Sequence, residues 1–158
     1  MKISQELKNR LGTAGEYRVL SELLLLGIDA SITTGNAKGT DIIVFSKKGS
    51  KYLRIEVKTS KNGRNFVTSY FPKYSQKSYT DPDFWVFYQP KLFNKDHEDV
   101  FYVLSHKEVR SAQLIVNKGN ETLKGLGVDN IPIKLLESME GIKYNWDKIT
   151  HAEIHLND

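Results

Sequence analysis

Cysteine is missing from all 158 residues of the sequence. Its absence excludes disulfide bonds, thiol nucleophiles and zinc sites built on cysteine, and it suits a reducing compartment, so we expect a cytoplasmic protein. Long apolar runs are missing as well. The longest run of leucines, Leu23 to Leu26, is far too short to cross a bilayer, and residues 1–6 contain no apolar segment typical of a signal peptide. We therefore expect no membrane partner.

Several familiar signals of function are absent too. No Ser-His-Asp arrangement, phosphate-cradling glycine loop, internal repeat or linker stands out. His151 and His155 are four residues apart, but the alternation over residues 152–156 predicts a terminal strand, on which structural or solvent roles are favoured over metal binding. With 39% hydrophobic residues, the chain can build one core, so we expect residues 1–158 to form a single domain.

The sequence does contain two neighbouring strand-like runs that carry charge. The first begins with Asp41, and the second includes Glu56 and Lys58. A polar segment of hairpin length joins them, and pairing Phe45 with Tyr52 across it puts Asp41 opposite Glu56. Because side chains alternate along a strand, Glu56 and Lys58 share one face. We therefore expect two carboxylates and one ammonium to lie close together.

Metal-assisted cleavage of a phosphodiester uses two carboxylates beside an ammonium group. Hard cations such as Mg²⁺ prefer carboxylate oxygens, and a neighbouring lysine can polarise a water or hold phosphate charge. The alternative is an amphipathic hairpin with a solvated face, whose exposed ion pairs contribute little. Residues 42–45 are all apolar, which favours a strand covered on both faces and puts Asp41 at the rim of a buried sheet.

These residues resemble the motif of the PD-(D/E)XK, or restriction-endonuclease-like, nuclease superfamily. The likeness consists of an acidic residue after Gly-x, a short hairpin and then Glu-x-Lys. Upstream, the segment from Gly15 to Gly27 is similar to the helix that precedes this hairpin in small archaeal Holliday-junction-resolvase-like nucleases. The resemblance covers roughly the first half of the chain. Thr40 stands where the family has proline, at a structural rather than a catalytic position.

The resemblance implies an α/β fold of restriction-endonuclease-like architecture, with a mixed central β-sheet flanked by helices. It also implies a deoxyribonuclease that depends on Mg²⁺ or Mn²⁺. The enzyme could be specific for a DNA structure, and a homodimer is one assembly that the resemblance allows. Asp41 and Glu56 would ligate the metal together with the Val57 carbonyl. Glu16 would join through a water or a second ion, and Lys58 would orient the attacking water. The rival class is a non-catalytic nucleic-acid-binding or interaction domain that keeps the fold.

Glu16 has a second explanation in the sequence. Thr13 can cap a helix, and Glu16 three residues later can reach back to the Thr13 amide, as in a capping box. On this pattern the first helix begins at Thr13 and ends before Gly27, and residues 4–11 form an extra turn or a short helix, with Ser4 as a candidate cap. The sequence leaves both roles of Glu16 open.

Positive charge is concentrated in the half of the chain that holds the motif. Residues 1–80 carry 14 Lys and Arg against 6 Asp and Glu, a net charge of +8, whereas residues 81–158 carry 9 against 13, a net charge of −4. Such a surface attracts a phosphate backbone without reading its sequence, although general solubility is an alternative explanation. The candidate nucleic-acid-binding residues are Lys38, Lys61, Arg64, Lys73, Gln76 and Lys77. The family resemblance suggests Gln76, and aromatics surround the last three.

The remaining pattern predicts the rest of the sheet. Residues 28–32 favour a first strand, and residues 83–88 and 100–104 favour a second hairpin. A helix over residues 107–117 and a short helix over residues 133–139 follow.

Overall fold

A five-stranded sheet of mixed direction forms the centre of the fold. The computed structural model describes residues 3–34, 39–48, 50–71, 81–122 and 126–156. The strands are β1 (Ala30–Ile32), β2 (Ile42–Phe45), β3 (Tyr52–Thr59), β4 (Asn65–Val67), β5 (Phe84–Gln89), β6 (Val100–Ser105) and β7 (Asn130–Pro132). The helices are α1 (Gln5–Leu25), α2 (His106–Val116), α3 (Ile133–Glu137) and α4 (Asp147–Leu156).

The strand order in the large sheet is β1-β2-β3-β5-β6, which puts β3 in the middle. Strands β3 and β5 run parallel, and the other neighbours run antiparallel. Helices flank the sheet, so the predicted mixed α/β architecture is confirmed. Strands β4 and β7 pair in a separate two-stranded sheet, which the sequence did not predict because each strand has only three residues.

Helix α1 starts earlier than the sequence predicted. Ser4 is its N-cap, with a side chain that accepts a hydrogen bond from the Leu7 N–H, and the helix continues without a break through Thr13. Thr13 therefore lies inside the helix, and the predicted capping box of Thr13 and Glu16 is wrong. The Ser4 side chain caps one free amide of the first turn, and the amides that follow Thr13 lie inside the helix, where a side-chain cap is not needed. None of the helices formed by the described residues combines the length and the apolar character needed to span a membrane.

The end of α1 agrees with the sequence prediction. Gly27 has a φ of 77°, a left-handed conformation that glycine adopts without strain. The Gly27 N–H donates to the Leu24 carbonyl, and the Ile28 N–H donates to the Leu23 carbonyl. These two bonds form the reversal that commonly closes a helix, and they send the chain back toward β1.

The register between β2 and β3 matches the predicted pairing. Phe45 lies opposite Tyr52 and Ile42 opposite Ile55, which brings Asp41, the residue before β2, beside Glu56. The expectation that both faces of β2 are covered is wrong, since Phe45 is 41% exposed. Ile43, which shares a face of the strand with Phe45, is only partly buried.

Apolar clusters cover both faces of the sheet around β3. One joins α1 and α4 to the sheet, and its buried members include Val19, Leu23, Ile55, Val57, Val86 and Ile149. The other joins α2 and α3 to the opposite face, and its buried members include Phe66, Trp85, Phe87, Tyr102, Val109 and Leu136. Because side chains alternate, Ile55 and Val57 face α1, whereas Glu56 and Lys58 are on the side of the second cluster.

The C-terminal segment is a helix, and the predicted terminal strand over residues 152–156 is wrong. Ile149, Ala152 and Leu156 pack against the first cluster at spacings of three and four, the period of a helix face. Ile154, which suggested alternation, is 55% exposed. The window was too short to separate the two periods, and the packing decided between them.

A glycine sets the distance between α1 and the centre of the sheet. Gly15 is buried, and a Cβ built on it would lie 1.9 Å from Thr59 Oγ1 and 3.2 Å from Tyr88 Cδ1. Gly12, one turn earlier, would present its Cβ to open space, with no atom within 4 Å. Helix and strand therefore touch at Gly15, which places the next residue, Glu16, at the end of β3.

We predict that Gly15→Ala destabilises the fold and that Gly12→Ala does not. The Gly15 change forces α1 and β3 apart, which should lower the free energy of unfolding by about 1–3 kcal/mol. The matched Gly12 change should raise it by up to about 1 kcal/mol, because alanine is the better helix former. Urea unfolding followed by circular dichroism measures both, and equal effects of the two changes would contradict the close contact.

Candidate active site

Asp41 is tied to β3 where the β2–β3 ladder ends. Its backbone N–H donates to the Ile55 carbonyl at 2.9 Å, and its Oδ2 accepts a hydrogen bond from the Val57 N–H at 2.7 Å. The carboxylate thus accepts a hydrogen bond that a backbone carbonyl would accept if the β2–β3 ladder continued. These two bonds hold the side chain beside β3 at the start of β2, and they leave Oδ1 for another partner.

Glu56 and Lys58 form an ion pair on β3. Lys58 Nζ donates to Glu56 Oε1 at 2.5 Å. Glu56 is only 8% exposed, and its second oxygen, Oε2, is buried with no hydrogen-bond partner among the described residues. Lys58 Nζ also lies 5.9 Å from the centre of the Trp85 ring, where the aromatic face attracts a cation. A buried carboxylate oxygen without a donor is costly to the fold and is an available ligand.

Glu16 approaches the same place from α1. Burial raises the pKa of Glu16, and the negative charges of Asp41 and Glu56 raise it further, while Lys58 lowers it. Glu16 is therefore close enough to both carboxylates to feel their charge. The structure brings together the four residues that the sequence singled out, from α1, the start of β2 and the end of β3.

The two other carboxyl groups are also harder to ionise than usual. Burial raises the pKa of Asp41, although the Val57 N–H and Lys58 oppose the change. Burial also raises the pKa of Glu56, which Lys58 lowers and Asp41 raises. Three carboxyl groups thus share one poorly solvated place with one lysine, so full ionisation leaves negative charge that a cation would neutralise.

The donor set fits a hard cation such as Mg²⁺ or Mn²⁺. Carboxylate oxygens are the ligands that such ions prefer, and the partnerless Oε2 of Glu56 and the second oxygen of Asp41 are both candidates. In the part of the chain that the structure describes, however, no three His, Asp or Glu side chains are grouped closely enough to hold an ion as they stand. The carboxyl groups of Glu16, Asp41 and Glu56 are neighbours, and that of Glu56 is paired with Lys58.

A cleft of about 660 Å³ opens over this cluster. Glu16, Asp41, Val57 and Lys58 line it, together with residues from α1 and from the loop after β3. Glu56 is not part of the lining and lies buried beside Lys58. A molecule in the cleft would therefore meet Asp41, Glu16 and Lys58 directly.

The loop after β3 is held in a defined shape. The Ser60 hydroxyl donates to the Asn65 carbonyl and accepts from the Gly63 N–H. Asn62 Oδ1 accepts from the N–H groups of Arg64 and Asn65, a side-chain turn that fixes the backbone. Through this loop Lys61 reaches the cleft.

The candidate nucleic-acid-binding residues divide into two groups. Lys61 lines the cleft, and Arg64 is exposed on the same loop. Lys38, Lys73, Gln76 and Lys77 lie outside the residues that the structure describes.

The part of the cleft that α1 forms was not predicted from the sequence. Gln5, Lys8 and Gly12 line it on the same helix as Glu16, with spacings of three, four and four that keep them on one face. This spacing is visible in the sequence, but the assumed helix start at Thr13 hid it.

Comparison with known proteins identifies the fold. No family model matches the sequence, and no curated protein matches it. Among solved structures, the chain is similar to a bacterial homing endonuclease, I-Ssp6803I, with a TM-score of 0.60, 17% sequence identity and coverage of 99% of both chains. The mixed sheet and its flanking helices are thus a fold that an endonuclease adopts. Assignment to the PD-(D/E)XK superfamily stays a prediction.

The raised pKa of Asp41 predicts that Asp41→Asn stabilises the fold at neutral pH. Because the folded protein holds this proton more tightly than the unfolded chain, the wild type loses stability as the pH rises from about the ordinary value of 3.8 through the folded-state pKa. Asparagine can still accept the Val57 N–H and has no such loss. The gain should be about 1.4 kcal/mol for each unit of pKa difference and should vanish below about pH 3.8.

Asp99→Asn is the matched control with the opposite sign. Burial raises the pKa of Asp99, but hydrogen bonds from the Lys91 N–H, Tyr88 and Arg18 outweigh burial and lower it overall. Its stabilisation is present at neutral pH and disappears as the pH falls through the folded-state pKa, so the asparagine variant should be less stable at pH 7. Melting temperatures from pH 3 to 8 test both signs, and a destabilised Asp41→Asn protein at pH 7 would contradict the argument.

Proposed function

We propose that the protein is a metal-dependent endonuclease that hydrolyses the phosphodiester bonds of DNA. The observation that carries the proposal is the convergence of Asp41, Glu16 and Lys58 at a cleft, with Glu56 buried beside Lys58 and all three carboxyl pKa values raised by burial. Strained, buried charges of this kind are costly to the fold and cluster at functional sites. The similarity of the fold to that of an endonuclease supports the same proposal.

Each side chain has a role that follows from its position. Asp41 and Glu56 would hold Mg²⁺ or Mn²⁺ together with the Val57 carbonyl, and Glu16 would take part through a water or a second ion. The bound ion would activate a water and neutralise phosphate charge. The Val57 N–H keeps Asp41 oriented, and the ion pair with Glu56 keeps Lys58 at the cleft.

Lys58 would orient the attacking water by hydrogen bonding beside the carboxylates. The oxygen of that water forms a new bond to phosphorus as the water gives up a proton to solvent, the bond from phosphorus to the leaving sugar oxygen breaks, and the leaving oxygen takes up a proton from solvent. Positioning the water and the phosphate in one geometry contributes much of the rate increase in such reactions. The cluster of charges would position both the water and the phosphate.

The proposal predicts cleavage that needs a divalent ion and that Asp41→Asn or Lys58→Ala abolishes. Supercoiled, linear and branched DNA, with RNA in parallel, should be incubated with Mg²⁺, with Mn²⁺ and with EDTA. Each variant should lower the rate by at least about 100-fold, because each removes a group that contacts the reacting atoms. The exposed residues Asp96 and Lys134 supply the matched controls Asp96→Asn and Lys134→Ala, which should cleave as the wild type does.

The same assay separates the enzyme from a binding domain. If wild-type protein binds DNA but cleaves none of these substrates with either ion, the non-catalytic alternative is correct. Wild-type rates in both site variants would show that the reaction is carried out elsewhere or by a contaminant.

The charge distribution predicts how DNA binding depends on salt. Replacing both Lys61 and Arg64 by alanine should weaken binding to all sequences alike and reduce the slope of log K against log salt by up to about 2, since each phosphate contact contributes about 0.9. Replacing Lys134 and Lys143, two exposed lysines of the acidic half, should change little. Binding in Ca²⁺ by fluorescence anisotropy measures both slopes, and the reverse ranking would place the DNA on another face.

A further inference from the structure

One wall of the cleft is a stripe of α1 that continues well beyond the carboxylates. Gln5, Lys8, Gly12 and Glu16 all line it, and their spacing keeps them on one helix face. From Glu16 to Gln5 the stripe is about 16 Å long at 1.5 Å per residue. Lys61 and its neighbours in the loop and in β4 also line the cleft. The cleft is therefore a groove with the carboxylates at one end.

The groove carries positive charge away from the carboxylates. Burial lowers the pKa of Lys61, and the charges of Lys58 and Lys8 lower it further. Lys61 thus lies near enough to both lysines to be repelled by them. Within the described residues, neither Lys8 nor Lys61 forms an ion pair with a carboxylate. Two neighbouring ammonium groups without a carboxylate partner, close to the third on Lys58, favour an anionic occupant.

Gly12 lies between Lys8 and Glu16 on the stripe, and neither its backbone nor its packing requires glycine. Its conformation is helical, and an added Cβ would meet no atom within 4 Å. Glycine inside a helix is destabilising relative to alanine. The close contact with Thr59 explains why residue 15 is glycine. Residue 12 has no such contact, and only the open groove lies beside it.

We propose that Lys8 and Lys61 hold the backbone of a polynucleotide strand on one side of the scissile phosphate, and that Gly12 keeps the groove between them and the carboxylates open. The inference rests on the proposed nuclease function and extends it. Lys8 is about 12 Å from Glu16 along the helix axis at 1.5 Å per residue, so a strand held at Lys8 extends more than one nucleotide beyond the phosphate at the carboxylates. The substrate is thus a strand that continues past the cleavage point on this side.

The test pairs two groove variants with two controls on the same helix. Gly12→Gln fills the groove with a neutral side chain, and Thr13→Gln adds the same side chain at an exposed position. Lys8→Gln removes one positive charge from the groove, and Arg10→Gln removes one from an exposed residue that pairs with Glu6. Binding to single-stranded and duplex DNA is measured in Ca²⁺ over a range of salt, with thermal unfolding as the check on the fold.

We expect Lys8→Gln to weaken binding about five- to tenfold at 0.1 M salt and to reduce the salt slope by about 0.9. Gly12→Gln should weaken binding at least tenfold without lowering the melting temperature, and both controls should remain within about twofold of the wild type. If Gly12→Gln proved unstable, the comparison of Lys8→Gln with Arg10→Gln would decide alone.

The outcome distinguishes this inference from the proposed function. Wild-type binding by both groove variants of an enzyme that cleaves DNA would overturn the groove and leave the nuclease proposal intact. Loss of binding in the groove variants of a protein that cleaves nothing would support the groove and refute the nuclease proposal. A wild-type protein that binds neither form of DNA would overturn both.

Discussion

The register of β2 against β3 is the constraint on which the rest of the site depends. With Phe45 opposite Tyr52, Asp41 reaches the Val57 N–H at the end of the ladder. Glu56 and Lys58 then lie on the face of β3 opposite to the one that packs against α1. A slip of one residue would turn these two charges into the apolar cluster around Val19 and would turn Ile55 and Val57 to the opposite face. The burial of that cluster therefore stabilises the correct register, and the register in turn positions the charges.

The charges at the end of β3 work against the stability of the sheet that holds them. All three carboxyl groups are buried enough to have raised pKa values, and one oxygen of Glu56 has no donor among the described residues. Two apolar clusters, one on each face of the sheet, offset this cost. Natural proteins commonly accept such local destabilisation where a ligand or a reaction requires it.

Local patterns were sufficient to predict much of the architecture. The hairpin of β2 and β3, the hairpin of β5 and β6 and the end of α1 at Gly27 follow from turn residues and from runs of four or more strand-forming residues. The errors have a common cause. At Thr13 and at the C-terminal segment, a short window matched two patterns equally well, and residues outside the window decided between them: the cap at Ser4 in the first case and the packing of Ile149 in the second.

The sequence by itself determined that Asp41, Glu56 and Lys58 lie together, because alternation and a single hairpin register relate residues that are close along the chain. Only the tertiary structure decided where Glu16 lies and that Lys8 and Gly12 form a groove beside it. Those positions depend on how closely α1 approaches β3, which is set by the contact of Gly15 with Thr59. Such a contact joins residues far apart in the chain, and its distance depends on side-chain shapes from several elements packed at once.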